Sequence, residues 1–139
     1  SNNQMSKEEF LAPLNVVALE VEVRLNETRL MRKTLSQFFH HTLTVQHMLP
    51  IPHRNQILFP LESKLEDTYD RLDLLAEQLN DVRQSLRFTA QALIHARPPY
   101  MEDALGKVLG MEQKIDVILS EVRQTKEEFD INHSKLLTE

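Results

Sequence analysis

The sequence contains no cysteine and no tryptophan, and only two of its 139 residues are glycine. Without cysteine the chain cannot form a disulfide or use a thiolate as a nucleophile or metal ligand. Phosphate-binding loops and the turns of a β-sheet both need glycine, so its scarcity argues against a nucleotide-binding fold and against a sheet protein. The absence of thiols also fits an intracellular compartment, and we predict a cytoplasmic or nuclear protein.

Long apolar runs and an excess of positive charge are missing as well. No stretch approaches the roughly 18 apolar residues that a membrane-spanning helix requires, and no signal peptide is visible. The 16 basic and 21 acidic residues are interspersed and give a formal net charge of -5. This balance disfavours a nucleic-acid-binding surface. We expect a protein partner, with neither nucleic acid nor a transmembrane segment involved.

The most regular feature that is present is an apolar stripe between Leu58 and Ala96. Steps of three and four residues alternate along it and meet Leu58, Leu61, Leu65, Thr68, Leu72, Leu75, Leu79, Val82, Leu86, Thr89, Leu93 and Ala96. No charged residue interrupts the stripe. This spacing is typical of a helix that keeps one face against other helices. We therefore predict a long helix over roughly 58–97 that organises the fold.

A similar but less regular stripe predicts a first helix over roughly 14–49. Before it, Ser6 and Glu9 have the spacing of a capping box, which predicts a short N-terminal helical turn. Pro13 either breaks that turn or lies in the first turn of the long helix, where its missing amide costs nothing. Residues 19–25 alternate apolar and polar side chains as a half-buried strand would. No second strand is present to pair with them, so a helix is preferred.

A third stripe predicts a helix over roughly 101–136, whose charged tail after Val122 is expected to fray or to depend on a partner. Prolines at 50, 52, 98 and 99 mark the two corners. Short corners make consecutive helices antiparallel neighbours. The predicted fold class is therefore all-α: an elongated antiparallel three-helix bundle of coiled-coil type.

The domain prediction follows from the same pattern. Residues 1–5 are expected to be a tag remnant or a disordered end, and residues 6–139 a single helical-bundle domain from a longer protein. In length and layout the chain resembles spectrin-type repeats, but the tryptophan typical of those repeats has no counterpart here. No specific family is identified.

Catalytic and metal-binding chemistry find little support. His40, His41 and His47 lie at the end of the first helix, while His53 and His95 lie near the corners. Their spacing does not match a zinc site, and no thiolate is available to complete one. The many carboxylates flank the central stripe without a Glu-x-x-His motif. We predict no metal, no cofactor and no catalytic residue, hence no enzyme. A pH- or metal-responsive sensor that uses the histidine-rich end remains an alternative.

The candidate binding residues lie on a second apolar line of the first helix and at the loosely patterned end of the third. The first helix carries a surplus line made of Val16, Leu19, Val23 and Leu30. A helix with two apolar faces usually contacts two neighbours, so this helix is either central in the bundle or faces a partner. The loosely patterned end of the third helix adds Phe129, Ile131, Leu136 and Leu137. We predict that these eight residues bind either a different protein or a second copy of the chain.

Two smaller features complete the predictions. Arg29, Arg32 and Lys33 cluster on the first helix and are expected to pair with acidic residues of the second. Gly106 and Gly110 have the spacing at which another backbone can approach closely, from a partner or from a neighbouring helix.

Together these features predict a non-enzymatic protein–protein interaction or scaffold module. It would be a helical subunit or domain of an intracellular assembly of cytoskeletal, kinetochore, nuclear-pore or tethering type. The alternative is a regulatory helical bundle of membrane traffic, which would bind a partner helix in a groove.

Overall fold

The computed structural model describes residues 5–138, apart from the side chains at 54, 55, 57–60 and 138. The described residues form three helices, α1 (Lys7–Met48), α2 (Ile51–Ala96) and α3 (Met101–Thr138), and no strand. α1 and α3 run in the same direction, and α2 runs opposite to both. The predicted all-α antiparallel three-helix bundle is confirmed. In the part of the chain described here, no helix has the length and apolar character that a bilayer crossing demands.

α1 begins at Lys7, seven residues before the predicted boundary. The Ser6 side chain caps it by accepting a hydrogen bond from the Glu9 amide at 3.2 Å, as the capping-box spacing predicted. Pro13 lies inside the continuous helix, so the expected separate turn is wrong. The cap and the buried Leu11 hold this first segment in place although proline removes one backbone hydrogen bond. Residues 19–25 are helical, which excludes the strand.

The corner between α1 and α2 consists of only Leu49 and Pro50. The Leu49 amide donates to the Gln46 carbonyl at 3.2 Å. Pro52 lies in the first turn of α2, where a backbone amide has no helical partner to lose. α2 therefore begins at Ile51 rather than at Leu58, whose side chain lies outside the described residues.

The corner between α2 and α3 uses two residues with left-handed backbone. Arg97 caps α2 with φ 48°, and its amide donates to the Leu93 carbonyl at 2.9 Å. Tyr100, with φ 65°, precedes α3, and its ring lies 6.3 Å from that of Phe10 on α1. The predicted end of the second helix and start of the third agree with the structure to within one residue.

The predicted stripes are the faces that the bundle buries. Every described member of the α2 stripe is buried or half-buried except Ala96. α3 is nevertheless the central helix, because it packs along both neighbours while α1 and α2 approach each other at few points. The expectation that α1 might be central is wrong. α3 also continues to Thr138 with Leu136 buried, so its tail does not fray.

Ion pairs line both edges of α3. Toward α1 they are Lys7–Asp103, Glu22–Lys114, Arg29–Glu121 and Arg32–Glu128. Toward α2 they are Asp73–Lys126 and Arg83–Asp116, and the His133 Nε2 lies 3.6 Å from the Glu62 carboxylate. Two arginines predicted to pair with the second helix thus pair with the third, while Lys33 is exposed.

Two of these contacts also shift the pKa of their cations. Hydrogen bonding to Glu128 raises the pKa of Arg32, and hydrogen bonding to Asp73 raises the pKa of Lys126. Since both groups are more basic in the folded chain, their pairing contributes to stability at neutral pH, and that contribution is lost as the pH rises through the raised pKa.

An aromatic cluster joins all three helices in the C-terminal third of α3. The Phe129 ring lies 5.4 Å from Phe39 of α1 and 5.1 Å from Tyr69 of α2, both in edge-to-face geometry. The Lys126 ammonium lies 4.8 Å from the Tyr69 ring centre. Such contacts stabilise the folded chain beyond the contribution from burying the rings.

The packing predicts that substitutions of two nearby leucines of α2 lower the stability by very different amounts. Leu72 is fully buried, whereas Leu74 is 52% exposed. Leu72→Ala should lower the free energy of unfolding by about 2–5 kcal/mol because it leaves a cavity. Leu74→Ala should lower it by less than about 1 kcal/mol. Urea denaturation followed by circular dichroism compares them, and equal losses would contradict the described packing.

Candidate helix-binding face

The seam between α1 and α2 is open. An upper groove of 520 Å³ separates residues 10–20 of α1 from residues 81–93 of α2. Its floor is apolar and contains Leu14, Val17, Val82, Leu86, Leu93 and, from α3, Ala104. The buried Ala104 is part of the core, so the upper groove reaches down to α3.

A lower groove of 630 Å³ continues along the same seam. It separates residues 27–38 of α1 from residues 64–71 of α2. The apolar residues that line it are Leu30, Met31, Leu35, Phe38 and Leu65. Together the two grooves follow α1 from residue 10 to residue 38, about 40 Å at 1.5 Å per residue. We call the surface that contains both grooves and their edges the α1–α2 face.

Along residues 10–38 of α1, the seam with α2 differs from the two seams that α3 forms, which described ion pairs bridge. Within residues 10–38 of α1, no described side chain forms an ion pair or hydrogen bond with α2. The side chains of this segment that do form interhelical pairs, Glu22, Arg29 and Arg32, all reach α3. The open seam is therefore a consequence of both outer helices packing on α3.

The α1 edge of this face carries three of the predicted binding residues. Leu30 lines the lower groove. Val23 and Val16 precede it by one and two intervals of seven residues, so they lie in the same row along the helix. All three are more than half exposed. Leu19, one turn from Val23, extends the apolar surface away from the grooves and is also exposed.

The α2 edge carries two apolar residues that sequence reasoning missed. Asp67 lines the lower groove and Asp81 lines the upper one. Leu74 and Phe88 alternate with them at intervals of seven, so they occupy the same row. Leu74 is 52% exposed and Phe88 is 72% exposed. Because aspartates alternate with Leu74 and Phe88, the sequence does not show this row as an apolar stripe. The row is recognised only in the structure, which shows that it lies beside α1.

Charge is distributed unevenly along the face. The upper groove is lined by the carboxylates Glu20 and Asp81 and, among the described residues, by no cation. The lower groove is lined by two carboxylates and two cations, Glu27, Asp67, Lys64 and Arg71. The upper half of the face is therefore acidic, and the lower half is balanced.

Arg24 lies between the two grooves on the predicted core stripe of α1. Its Nη1 donates to the Glu20 carbonyl at 3.0 Å, but its Nε is buried without a hydrogen-bond partner. A buried unpaired donor destabilises the folded chain.

The structure separates the residues predicted on α3. Phe129 and Leu136 are buried members of the core and are not available on the surface. Ile131 and Leu137 are exposed. α3 contributes only Ala104 to the two grooves, so these two residues lie outside the α1–α2 face.

The remaining predicted features do not form a site. Among the described residues, no group of three or more His, Cys, Asp or Glu side chains could hold a metal. His95 lies in the last turn of α2, at the opposite end of the bundle from His47 and His53. A Cβ added at Gly106 or Gly110 would meet nothing within 4 Å, so no helix of this chain crosses there.

A third groove, of 490 Å³, lies between α1 and α3. Arg29, Arg32, Glu121 and Glu128 line it, and these residues already pair with one another across it. Its two arginines and two glutamates are thus already paired within the chain, which makes it a weaker binding candidate than the α1–α2 face.

Comparisons with protein-family models, with curated proteins and with solved structures found no match to this chain. Its function is therefore inferred from geometry and chemistry.

The unpaired Arg24 yields a stability prediction. Arg24→Met keeps an unbranched apolar stem and removes the buried donor, so the free energy of unfolding should rise by about 1 kcal/mol. Arg123→Met, at an exposed position of α3, should change it by less than about 0.5 kcal/mol. Chemical denaturation of both variants tests this. A loss of stability in Arg24→Met would show that the guanidinium has a stabilising partner.

Proposed function

We propose that this protein is a non-enzymatic protein–protein interaction module that binds an amphipathic helix of a partner along the α1–α2 face. One observation carries the proposal: two apolar grooves follow one another along about 40 Å of the seam, between edges that expose Val16, Val23, Leu30, Leu74 and Phe88. A helix laid in an apolar groove is a recurrent mode of peptide recognition.

The energetic argument follows from burial. A helix in this seam would become the fourth helix of a bundle and cover apolar side chains that now face water. Complete burial of an exposed Val, Leu or Phe contributes about 1.5–3 kcal/mol, and roughly half of that is available at side chains already half covered. Five such residues offset a substantial part of the entropy lost on association.

The groove bears on the choice between the two predicted roles. A flat apolar stripe would suit a scaffold held in a large assembly, whereas a regulatory bundle that binds a partner helix needs a groove. The α1–α2 face favours the second role, and it is the one we propose, in an intracellular setting consistent with the absence of cysteine. No described feature favours the histidine sensor.

A selection experiment tests the proposal. A displayed library of helical peptides of about 25 residues, with randomised apolar and flanking positions, spans the length of the face. The purified protein should enrich helices with one apolar stripe. Val23→Asp and Phe88→Asp should each weaken the enriched peptides at least about tenfold, because a charge would enter an apolar contact. Fluorescence anisotropy measures the affinities.

The matched control is Leu109→Asp. Leu109 is 57% exposed, as Val23 is, but it lies on α3 and lines neither groove. Its variant should bind the peptides like the original protein, and all three variants should keep their helical circular dichroism. Failure to enrich any helix, or equal weakening by Leu109→Asp, would overturn the proposal.

A further inference from the structure

The upper groove sets a chemical requirement on the helix that binds there. Glu20 lines one edge and Asp81 the other, so a helix in this groove would have a carboxylate on each flank. Both residues are exposed, and neither forms an ion pair in the chain. Water solvates them in the free protein, and a bound helix would displace part of that water.

Displacing water from an unpaired carboxylate is unfavourable unless a cation or a hydrogen-bond donor replaces it. The other polar residues of the upper groove, Ser85 and Thr89, both belong to α2. Thr89 already donates its hydroxyl to the Ser85 carbonyl at 2.9 Å. Among the described residues no cation lines the upper groove, and Arg24 beside it donates to the Glu20 carbonyl rather than to the Glu20 carboxylate. The bound helix is therefore the source of the cations.

We infer, building on the proposed function, that the partner helix carries Lys or Arg on both flanks where it covers the upper groove. Glu27 extends this requirement along the α1 edge, since it follows Glu20 by seven residues and also lines a groove. Opposite it, Lys64 and Arg71 line the α2 edge of the lower groove. The half of the helix over the lower groove is therefore mixed in charge rather than basic.

The difference in charge between the two grooves also fixes the direction in which the partner helix lies along the face. The basic half of the partner helix lies toward the end of the bundle that contains Ala96 and Met101, and the mixed half lies toward the Met48–Ile51 corner. A helix with the same residues in reverse order along its axis would place its cations over Lys64 and Arg71.

A second copy of this chain suits the upper groove less well. The chain has a formal net charge of -5, so two copies repel each other at long range. A partner of the opposite charge would be attracted to the same face and would associate faster.

Charge reversal tests the inference on the intact protein. The probes are the helices enriched by the library selection, whose flanking positions were free to become Lys, Glu or Ser. The original protein should enrich Lys and Arg at flanks over one half of the helix. The double variant Glu20→Lys/Asp81→Lys should weaken these peptides at least about tenfold and should select acidic flanks instead.

The control variant Glu77→Lys/Glu127→Lys carries the same change in net charge. Both positions are exposed and line neither groove, so its affinity should stay within about threefold of the original. Raising the salt concentration should weaken binding to the original protein more than binding of the same peptides to a Glu20→Gln/Asp81→Asn variant.

The outcomes separate the two levels of the proposal. If no helix is enriched, the proposed function fails. If helices bind but their flanks are neutral or acidic, or if both charge reversals weaken binding equally, helix binding stands and the basic partner is overturned. If light scattering shows a dimer that Val23→Asp dissociates, a second copy occupies the face and the basic partner is likewise overturned.

Discussion

The packing of α3 against both other helices is the interaction on which the rest of the structure depends. Its buried residues form a broad apolar face, with Val108, Ile115 and Val122 in one row and Ala104, Met111 and Ile118 in another. Ion pairs border this face on both sides. Exposed pairs of this kind contribute little to stability one by one, but they fix the register of each neighbour against α3.

The open face follows from the same constraint. Because α1 and α2 each turn their main stripe toward α3, their facing edges are only partly covered. The apolar residues on those edges, such as Val23 and Phe88, are in contact with solvent rather than with each other. Large exposed apolar surfaces usually mark sites of interaction. The fold thus separates a closed side, which supplies stability, from an open side, which is available to a partner.

Much of the fold could be predicted from the sequence, because an apolar stripe at helical spacing predicts which side chains a helix buries. Leu72 and Leu79 lie on the predicted stripe of α2 and are fully buried. A stripe does not state which neighbour covers it, so the central role of α3 was missed. Proline at 13 suggested a break, but the Ser6 cap and the burial of Leu11 outweigh one missing hydrogen bond.

The candidate site was predictable only on its α1 edge. Val16, Val23 and Leu30 form a second apolar line beside the stripe that α1 packs in the bundle. This line can be recognised within one helix, without knowing where the other helices lie. Leu74 and Phe88 alternate with aspartates, so the sequence does not mark their row as a binding edge. That assignment requires knowing which side of α2 lies beside α1. Phe129 and Leu136 were assigned to a partner because the charged residues around them hid their place in the core.

The central claim is that the α1–α2 face is open in the free protein, and thiol labelling tests it most directly. The chain has no cysteine, so one cysteine introduced at 23, 88 or 72 is the only thiol present. Cysteines replacing Val23 and Phe88 should react almost as fast as in the unfolded chain, and one replacing Leu72 should react at least about a hundredfold more slowly. Protection of the first two comparable to that of the third would contradict the account, because the face would then be covered.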